Sequence, residues 1–295
     1  MTPSDDAVPA LDSPYRATGS LRGQTILISG GSRGIGLAIA TRAARDGANI
    51  VLMAKTGEPH PKLAGTVHTA AQALVDAGGQ ALPLVGDVRR DEDVAGAVAA
   101  AEERFGGIDI VINNASAIDL SRTDAVDMKK YDLMQDINVR GTFLMAKLAL
   151  PALRKSAAGQ ILTLSPPLNL DPQWAGRHLA YTMAKYGMSM TTLGLAHELQ
   201  EEGIRVNSLW PCTLIDTAAI RNMPQGEAIA LSARGPQIMA DAAHAVLTGA
   251  HLRRGAVPSG NFYTDEEVLG AAGVTDFRSY SLGADEDRLV PDIFL

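Results

Sequence analysis

The stretch Thr25–Ala40 reads TILISGGSRGIGLAIA. Its first part, Thr25–Ser29, favours extended chain, and from Ile35 onward small and aliphatic side chains recur at helical spacing. Between the two stand Gly30, Gly34 and Gly36. Gly30 permits a tight turn after the strand. Gly34 and Gly36 let the backbone approach a phosphate and let the helix pack on the sheet. A helix that starts there offers free N–H groups and the positive end of its dipole to a pyrophosphate. The pattern therefore predicts the first strand–turn–helix unit of a dinucleotide-binding sheet.

The same rhythm continues outward. Candidate strands are Thr25–Ser29, Asn49–Ala54, Ala81–Gly86, Ile108–Asn113, Gln160–Leu164, Arg205–Leu209 and Asn261–Thr264. Most are apolar on both faces, as strands of a covered parallel sheet are. Helical spacing marks Ile35–Asp46, Thr66–Ala77, Asp91–Phe105, Lys130–Lys155, His178–Glu201 and Gln237–Thr248. Gly47, Gly78 and Gly106 end several of these, as helix C-termini commonly end. Strands alternating with helices predict an α/β fold, a doubly wound parallel sheet of Rossmann type in a single domain, residues 19–295. The Asp-, Pro- and Ser-bearing start, residues 1–18, is expected to be a flexible tail. Thr213–Gly235 breaks the rhythm and reads as a loop-plus-helix insert near the strand ends, where such inserts cover active sites.

The totals narrow the function. A net charge of −7 does not suggest a nucleic-acid surface. No apolar run approaches the roughly 18 residues of a membrane span, and the N-terminus has neither the basic start nor the apolar centre of a secretory signal. A cytoplasmic protein is expected. Cys212 is the only cysteine, so no intrachain disulfide forms. The histidines show no paired metal spacing, and no metal is expected.

Cofactor choice follows from the second strand. An NAD site usually ends that strand in an acid that accepts the ribose hydroxyls. Here NIVLMAKTG, Asn49–Gly57, carries Lys55 and no acid, and Arg33 lies in the glycine turn. Two cations beside the ribose favour a 2′-phosphate, hence NADP.

SGGSRGIG (Ser29–Gly36), GDV (Gly86–Val88), NNAS (Asn113–Ser116), NVRG (Asn138–Gly141), YTMAK (Tyr181–Lys185) and RVNSLWP (Arg205–Pro211) occur in this order. With this set the chain resembles the short-chain dehydrogenase/reductase family over about Leu21–Leu295. AKTGEPHPKLAGTVHTAA, SPPLNLDPQW, SGNFYTDEEVL and the terminal PDIFL narrow the likeness to one branch. That branch carries a sterol-carrier domain after its dehydrogenase part, and these 295 residues are expected to lack it. The resemblance implies Ser32, Ile35, Lys55, Asp87, Val88, Asn114 and Ala115 as cofactor contacts, together with Tyr181 and Lys185. It also implies a homo-tetramer, or at least a dimer, packed through the helices Lys130–Lys155 and His178–Glu201. Met188, Met190, Leu193 and Leu195 are the apolar residues expected there.

Carbonyl reduction needs a hydride donor and a proton donor. Tyr181 can give the proton, but a free phenol has a pKa of about 10. Lys185 lies four residues on, shares a helix face with Tyr181, and as a nearby cation favours the phenolate. By resemblance, Lys185 also bonds the nicotinamide ribose, and Asn138 holds a water linking the lysine to solvent.

The substrate-binding serine of the family is less plain. ILTLSP puts Pro166 where that serine often stands, and Ser165 lies one residue earlier. Proline has no donor, and a one-residue shift along a strand turns a side chain to the other face. Ser165 is expected to bind the substrate oxygen only if the prolines re-aim it; Asn169 or backbone N–H groups are the alternatives. Cys212 stands where the family usually has glycine after Pro211, and reads as a packed thiol. His178 reads as a residue that caps or lines a helix. Apolar Met183, Trp210, Ile215 and Ile220 suggest an apolar small-molecule substrate. The expected protein is an NADP(H)-dependent oxidoreductase acting on a carbonyl or hydroxyl group. The alternative is a redox-silent NADP-binding sensor or scaffold.

Overall fold

A computed structural model describes residues 13–59, 65–222, 225–252 and 258–295. Seven parallel strands form one sheet: β1 (Thr25–Ser29), β2 (Asn49–Ala54), β3 (Gln80–Val85), β4 (Ile110–Asn113), β5 (Gln160–Thr163), β6 (Arg205–Trp210) and β7 (Phe262–Thr264). Their order is β3-β2-β1-β4-β5-β6-β7. The order in which the strands are added therefore reverses between β1 and β4. In open α/β sheets that is where a crevice opens beyond the carboxyl ends of the strands.

Apolar residues on both faces of each strand explain why helices cover both sides. Ile26 and Ile28 of β1 and Ile50 and Leu52 of β2 pack to one side, against α1 (Gly34–Arg45), α2 (Val67–Asp76), α10 (Gln237–Thr248) and α11 (Asp265–Ala271). The intervening Leu27, Val51 and Met53 face α3 (Asp91–Phe105), α5 (Gly141–Leu153) and α7 (Leu179–Glu198). This is the period of two of a strand, written twice with apolar residues. Ile28 and Leu52 are both 0% exposed, so truncating either to alanine would cost about 2–5 kcal/mol.

Local chemistry sets the helix ends. Asp91, Glu92 and Asp93 fill the first turn of α3, and its end is closed by Gly106 in the left-handed region at φ 86°. The stretch read as one helix over Lys130–Lys155 is α4 (Met128–Met134), a π-helical turn at Gln135–Arg140, and α5. Hydrophobic spacing does not reveal the wider turn. Two helices escaped the sequence reading. The first is α6 (Pro172–Arg177), capped by the Asp171 side chain, which accepts from the Gln173 N–H. The second is α11, capped in the same way by Thr264. The insert Thr213–Gly235 contains α8 (Ala218–Arg221) and α9 (Gly226–Ala230).

Ser13 and Tyr15, within the expected flexible tail over residues 1–18, are instead anchored to the domain. Residues 1–12 lie outside the described residues. Tyr15 is 5% exposed, and its hydroxyl meets His244 Nδ1 at 3.0 Å, while Ser13 donates to Asp241. Composition misses this because the anchoring groups sit on α10, more than two hundred residues away.

Candidate active site

A cleft of about 590 Å³ opens at the carboxyl ends of β1, β2 and β4, at the switch point. It is lined by Gly30, Ser32, Arg33, Gly34, Ile35, Lys55, Asp87, Val88, Asn114 and Ala115. Each of these is a predicted cofactor contact. Gly30 and Gly34 have φ of 69° and 57°, which disfavours any side chain. Gly36 lies in α1 rather than on the cleft wall. A Cβ there would stand 2.5 Å from Asn114 Nδ2, so this glycine serves the packing of helix on strand end. Asn114 in turn fixes the glycine turn, donating to the Ser29 and Gly30 carbonyls at 3.1 and 2.9 Å.

Helix α1 begins with no side-chain cap and no acid in its first turn. Its first N–H groups are therefore available to an anion. Arg33 donates to the Gly65 carbonyl at 2.8 Å, and burial lowers its pKa. Lys55 is 58% exposed and sits 3.4 Å from Asp87. Asp87 is held down to about 2, chiefly by the forked bond from Arg89, with Lys55 contributing. The insert supplies Thr217, Ala218, Ala219 and Asn222 to the same cleft. Its break in the strand–helix rhythm was the sequence signal for that role.

Tyr181 and Lys185 lie one turn apart on α7, outside the cleft lining. Tyr181 is 5% exposed, and its hydroxyl has no hydrogen-bond partner among the described residues. Lys185 is 2% exposed; its ammonium donates to the Leu164 carbonyl at 2.7 Å and lies 5.0 Å from the Trp210 ring centre. Burial pushes Lys185 down to about 7, against the pull of Asp292. The expected lowering of the Tyr181 pKa does not occur in the chain by itself. Burial raises it, and the Asp292 charge raises it further.

Asn138, within the π-helical turn, is fully buried. Its amide accepts from the Ala117 N–H at 2.8 Å and donates to the Ala117 carbonyl at 3.0 Å. It thus pins the segment that follows the NNAS motif.

Ser165 is not brought to Tyr181. Its hydroxyl is 0% exposed and bonds Ser208 Oγ at 2.8 Å, which donates to Thr192 Oγ1 at 2.8 Å. The prolines do not re-aim it: Ser165 faces β6 and α7, the inward side that a one-residue shift predicts. Asn169 is engaged locally, accepting from the Asp171 N–H at 3.0 Å. His178 Nδ1 meets the Leu120 carbonyl at 2.9 Å, a helix-lining role. Burial pushes the Cys212 thiol up to about 12, consistent with a packed thiol.

Sequence reading missed Asp292 and Phe294. Asp292 is buried, which pushes its carboxyl up to about 7, while the Ile293 N–H and Lys185 oppose the rise. Phe294 stacks on Tyr181 with centroids 6.1 Å apart. In the sequence this segment stood out only as PDIFL, one of the stretches that carry the resemblance.

Residues 24–228 match the short chain dehydrogenase family. The chain belongs to that family. It is 52% identical over 278 residues to hydroxysteroid dehydrogenase-like protein 2 of Xenopus laevis, and 49% identical to that of Homo sapiens. Each alignment covers 94% of this chain and 65% of the relative, so the chain spans just under two thirds of those proteins. Among solved structures, a putative dehydrogenase from Xanthomonas campestris is 50% identical with a TM-score of 0.86, covering 94% of this chain and 99% of that one. L-sorbose reductase from Gluconobacter frateurii, solved with NADPH and L-sorbose, is 26% identical with a TM-score of 0.70, covering 83% and 95%. The family supports a dehydrogenase or reductase with a nicotinamide cofactor acting on a small molecule.

Proposed function

We propose that the protein is an NADP(H)-dependent oxidoreductase that interconverts a carbonyl and a hydroxyl group on a small, apolar substrate. The observation that carries this reading is Tyr181: a buried phenol whose hydroxyl no described residue engages, one helical turn from a buried lysine. Glycines at positive φ and the uncapped start of α1 fit a pyrophosphate. Lys55 and Arg33, with no acid at the end of β2, fit a 2′-phosphate.

The nicotinamide, when bound, supplies or accepts the hydride. The protein's part is the proton. In reduction the Tyr181 hydroxyl gives its proton to the oxygen that was the carbonyl. In oxidation the phenolate takes the proton from the alcohol. Lys185, held by the Leu164 carbonyl, steadies the charge on that side, and Asn138 fixes the wall at Ala117.

The sign of the pH dependence follows. A raised Tyr181 pKa keeps the phenol protonated through neutral pH. Carbonyl reduction is therefore not limited by the Tyr181 proton between about pH 6 and 8, and its change there should follow Lys185 and Asp292, both near 7, whereas alcohol oxidation should rise by up to about tenfold per pH unit. Initial rates in the two directions check this. An oxidation rate that falls with pH would point to a different base.

Ser165 favours a second reading, a redox-silent NADP-binding sensor or scaffold, because the expected substrate-binding hydroxyl is spent on Ser208. NADPH consumption against a broad carbonyl panel separates the two.

The protein is further proposed to be cytoplasmic and a homo-tetramer or dimer. Among the described residues no helix is long and apolar enough to cross a membrane. On α5 and α7, Phe143, Met183, Met190 and Leu193 are 44–54% exposed, an apolar face suited to a second copy. Met188 and Leu195, expected on that face, are instead buried within the subunit. Sedimentation at micromolar concentration should give a dimer or tetramer, and Met190→Lys should shift it toward monomer. A monomeric parent protein would refute the assembly.

A further inference from the structure

Tyr181 has to meet a substrate oxygen if the function proposed above holds, yet it is 5% exposed. Phe294 covers it. The two rings stack with centroids 6.1 Å apart and planes inclined by 28°. Three other rings enclose Phe294: Trp174 at 6.1 Å, Tyr186 at 5.3 Å and Trp210 at 5.9 Å. Phe294 is 1% exposed and has a φ of 79°, a conformation that residues other than glycine rarely adopt. Its backbone does not favour this position; the inserted ring and its neighbours' bonds hold it. The Asp292 N–H donates to the Cys212 carbonyl at 3.0 Å, and Trp210 Nε1 donates to the Ile293 carbonyl at 3.0 Å.

The enclosure also carries unused donors. The Tyr181 hydroxyl has no partner among the described residues. Trp174, 9% exposed, buries its indole N–H without a partner. A core built only for stability would satisfy a buried N–H. Aromatic walls with a buried, unpartnered indole N–H beside the Tyr181 hydroxyl, filled by a benzene ring that can use neither, suit a ring that bears an oxygen.

We infer that the Phe294 ring occupies the substrate site, and that a flat, apolar carbonyl compound displaces it, lying against Trp174, Tyr186 and Trp210 with its oxygen at Tyr181. The inference rests on Tyr181 being the proton donor of the proposed reaction. Flat rings are favoured because they recover the ring contacts that Phe294 gives up, which a short aliphatic carbonyl compound cannot do. The plug also weakens every ligand in proportion to the time it spends closed. Removing the ring therefore tightens binding.

The test uses 2-naphthaldehyde, with propanal as the small control, titrated calorimetrically into the protein loaded with NADP⁺ so that no reduction occurs. Phe294→Ala should bind 2-naphthaldehyde at least about tenfold more tightly than the parent, with Phe294→Leu between them and propanal weak throughout. Thermal melting identifies variants that remain folded. In the unmodified protein, the Asp292 amide should exchange hydrogen at least about tenfold faster with 2-naphthaldehyde present, because its bond to Cys212 opens. Equal or weaker binding by the folded variants, or unchanged Asp292 exchange in the parent, overturns the inference. Binding and exchange as expected, without NADPH consumption by any variant, would leave the plug standing and remove the oxidoreductase reading. Turnover that is indifferent to Phe294 would do the reverse.

Discussion

Tyr181→Phe should lower carbonyl reduction by at least about 10³-fold while changing NADPH affinity less than about threefold. The substitution removes one oxygen from a side chain that lines no part of the cofactor cleft. The ring keeps its stack on Phe294, so folding should be intact. Ser165→Ala makes the contrast. Loss of a substrate-binding hydroxyl would cost about 10² to 10³-fold, as removal of an oxyanion donor does. The structure instead spends that hydroxyl on Ser208. Turnover of Ser165→Ala should stay within about threefold of the parent, and its melting temperature should drop, because Ser208 loses a buried partner worth about 1 kcal/mol. Turnover numbers and melting curves for the two variants, side by side, decide both assignments. A severe loss in Ser165→Ala with unchanged stability would return the serine to the site.

Lys55→Glu should weaken NADPH binding by about 10- to 100-fold, the worth of one charge-assisted bond to the 2′-phosphate plus the new repulsion. NADH binding should hold or improve, because a carboxylate at the end of β2 can accept the ribose hydroxyls. Lys55 is 58% exposed, so the loss should shrink as salt is raised. Its neighbour Asp87, 3.4 Å away, makes the new glutamate doubly unwelcome to a phosphate. Equilibrium titration of both cofactors at low and moderate salt checks this. Equal affinity of the parent protein for NADPH and NADH would refute the specificity outright.

Much of the fold was legible because each element wrote its own signal. Strands β1 and β2 and helices α3 and α10 appear at the expected boundaries, since apolar runs, glycine ends and first-turn acids are local facts. The cleft was legible for the same reason: Gly30, Ser32, Gly34, Lys55 and Asn114 stand at strand ends in a fixed order. Long-range packing was not. Nothing near Ser165 in the sequence tells that Ser208, on the neighbouring strand, will take its hydroxyl. Nothing near Tyr181 tells that Phe294 will cover it, or that burial and Asp292 will raise its pKa. Likewise the helical stripe of α7 could not separate Met188, which faces inward, from Met190, which faces out. The small helix α6 is a different case, since Asp171–Pro172 is a local cap-and-proline start that helical spacing alone does not mark.

The central claim is that this chain reduces or oxidises substrates at Tyr181 with NADP(H). It is tested most directly by following the ultraviolet absorbance of NADPH in the presence of a panel of aromatic and aliphatic carbonyl compounds, with the parent protein and Tyr181→Phe in parallel. Carbonyl-dependent loss of NADPH is expected, at least about tenfold slower with NADH at equal concentration and absent with Tyr181→Phe. NADPH that binds but is consumed with no carbonyl compound, or a Tyr181→Phe variant as active as its parent, would contradict it.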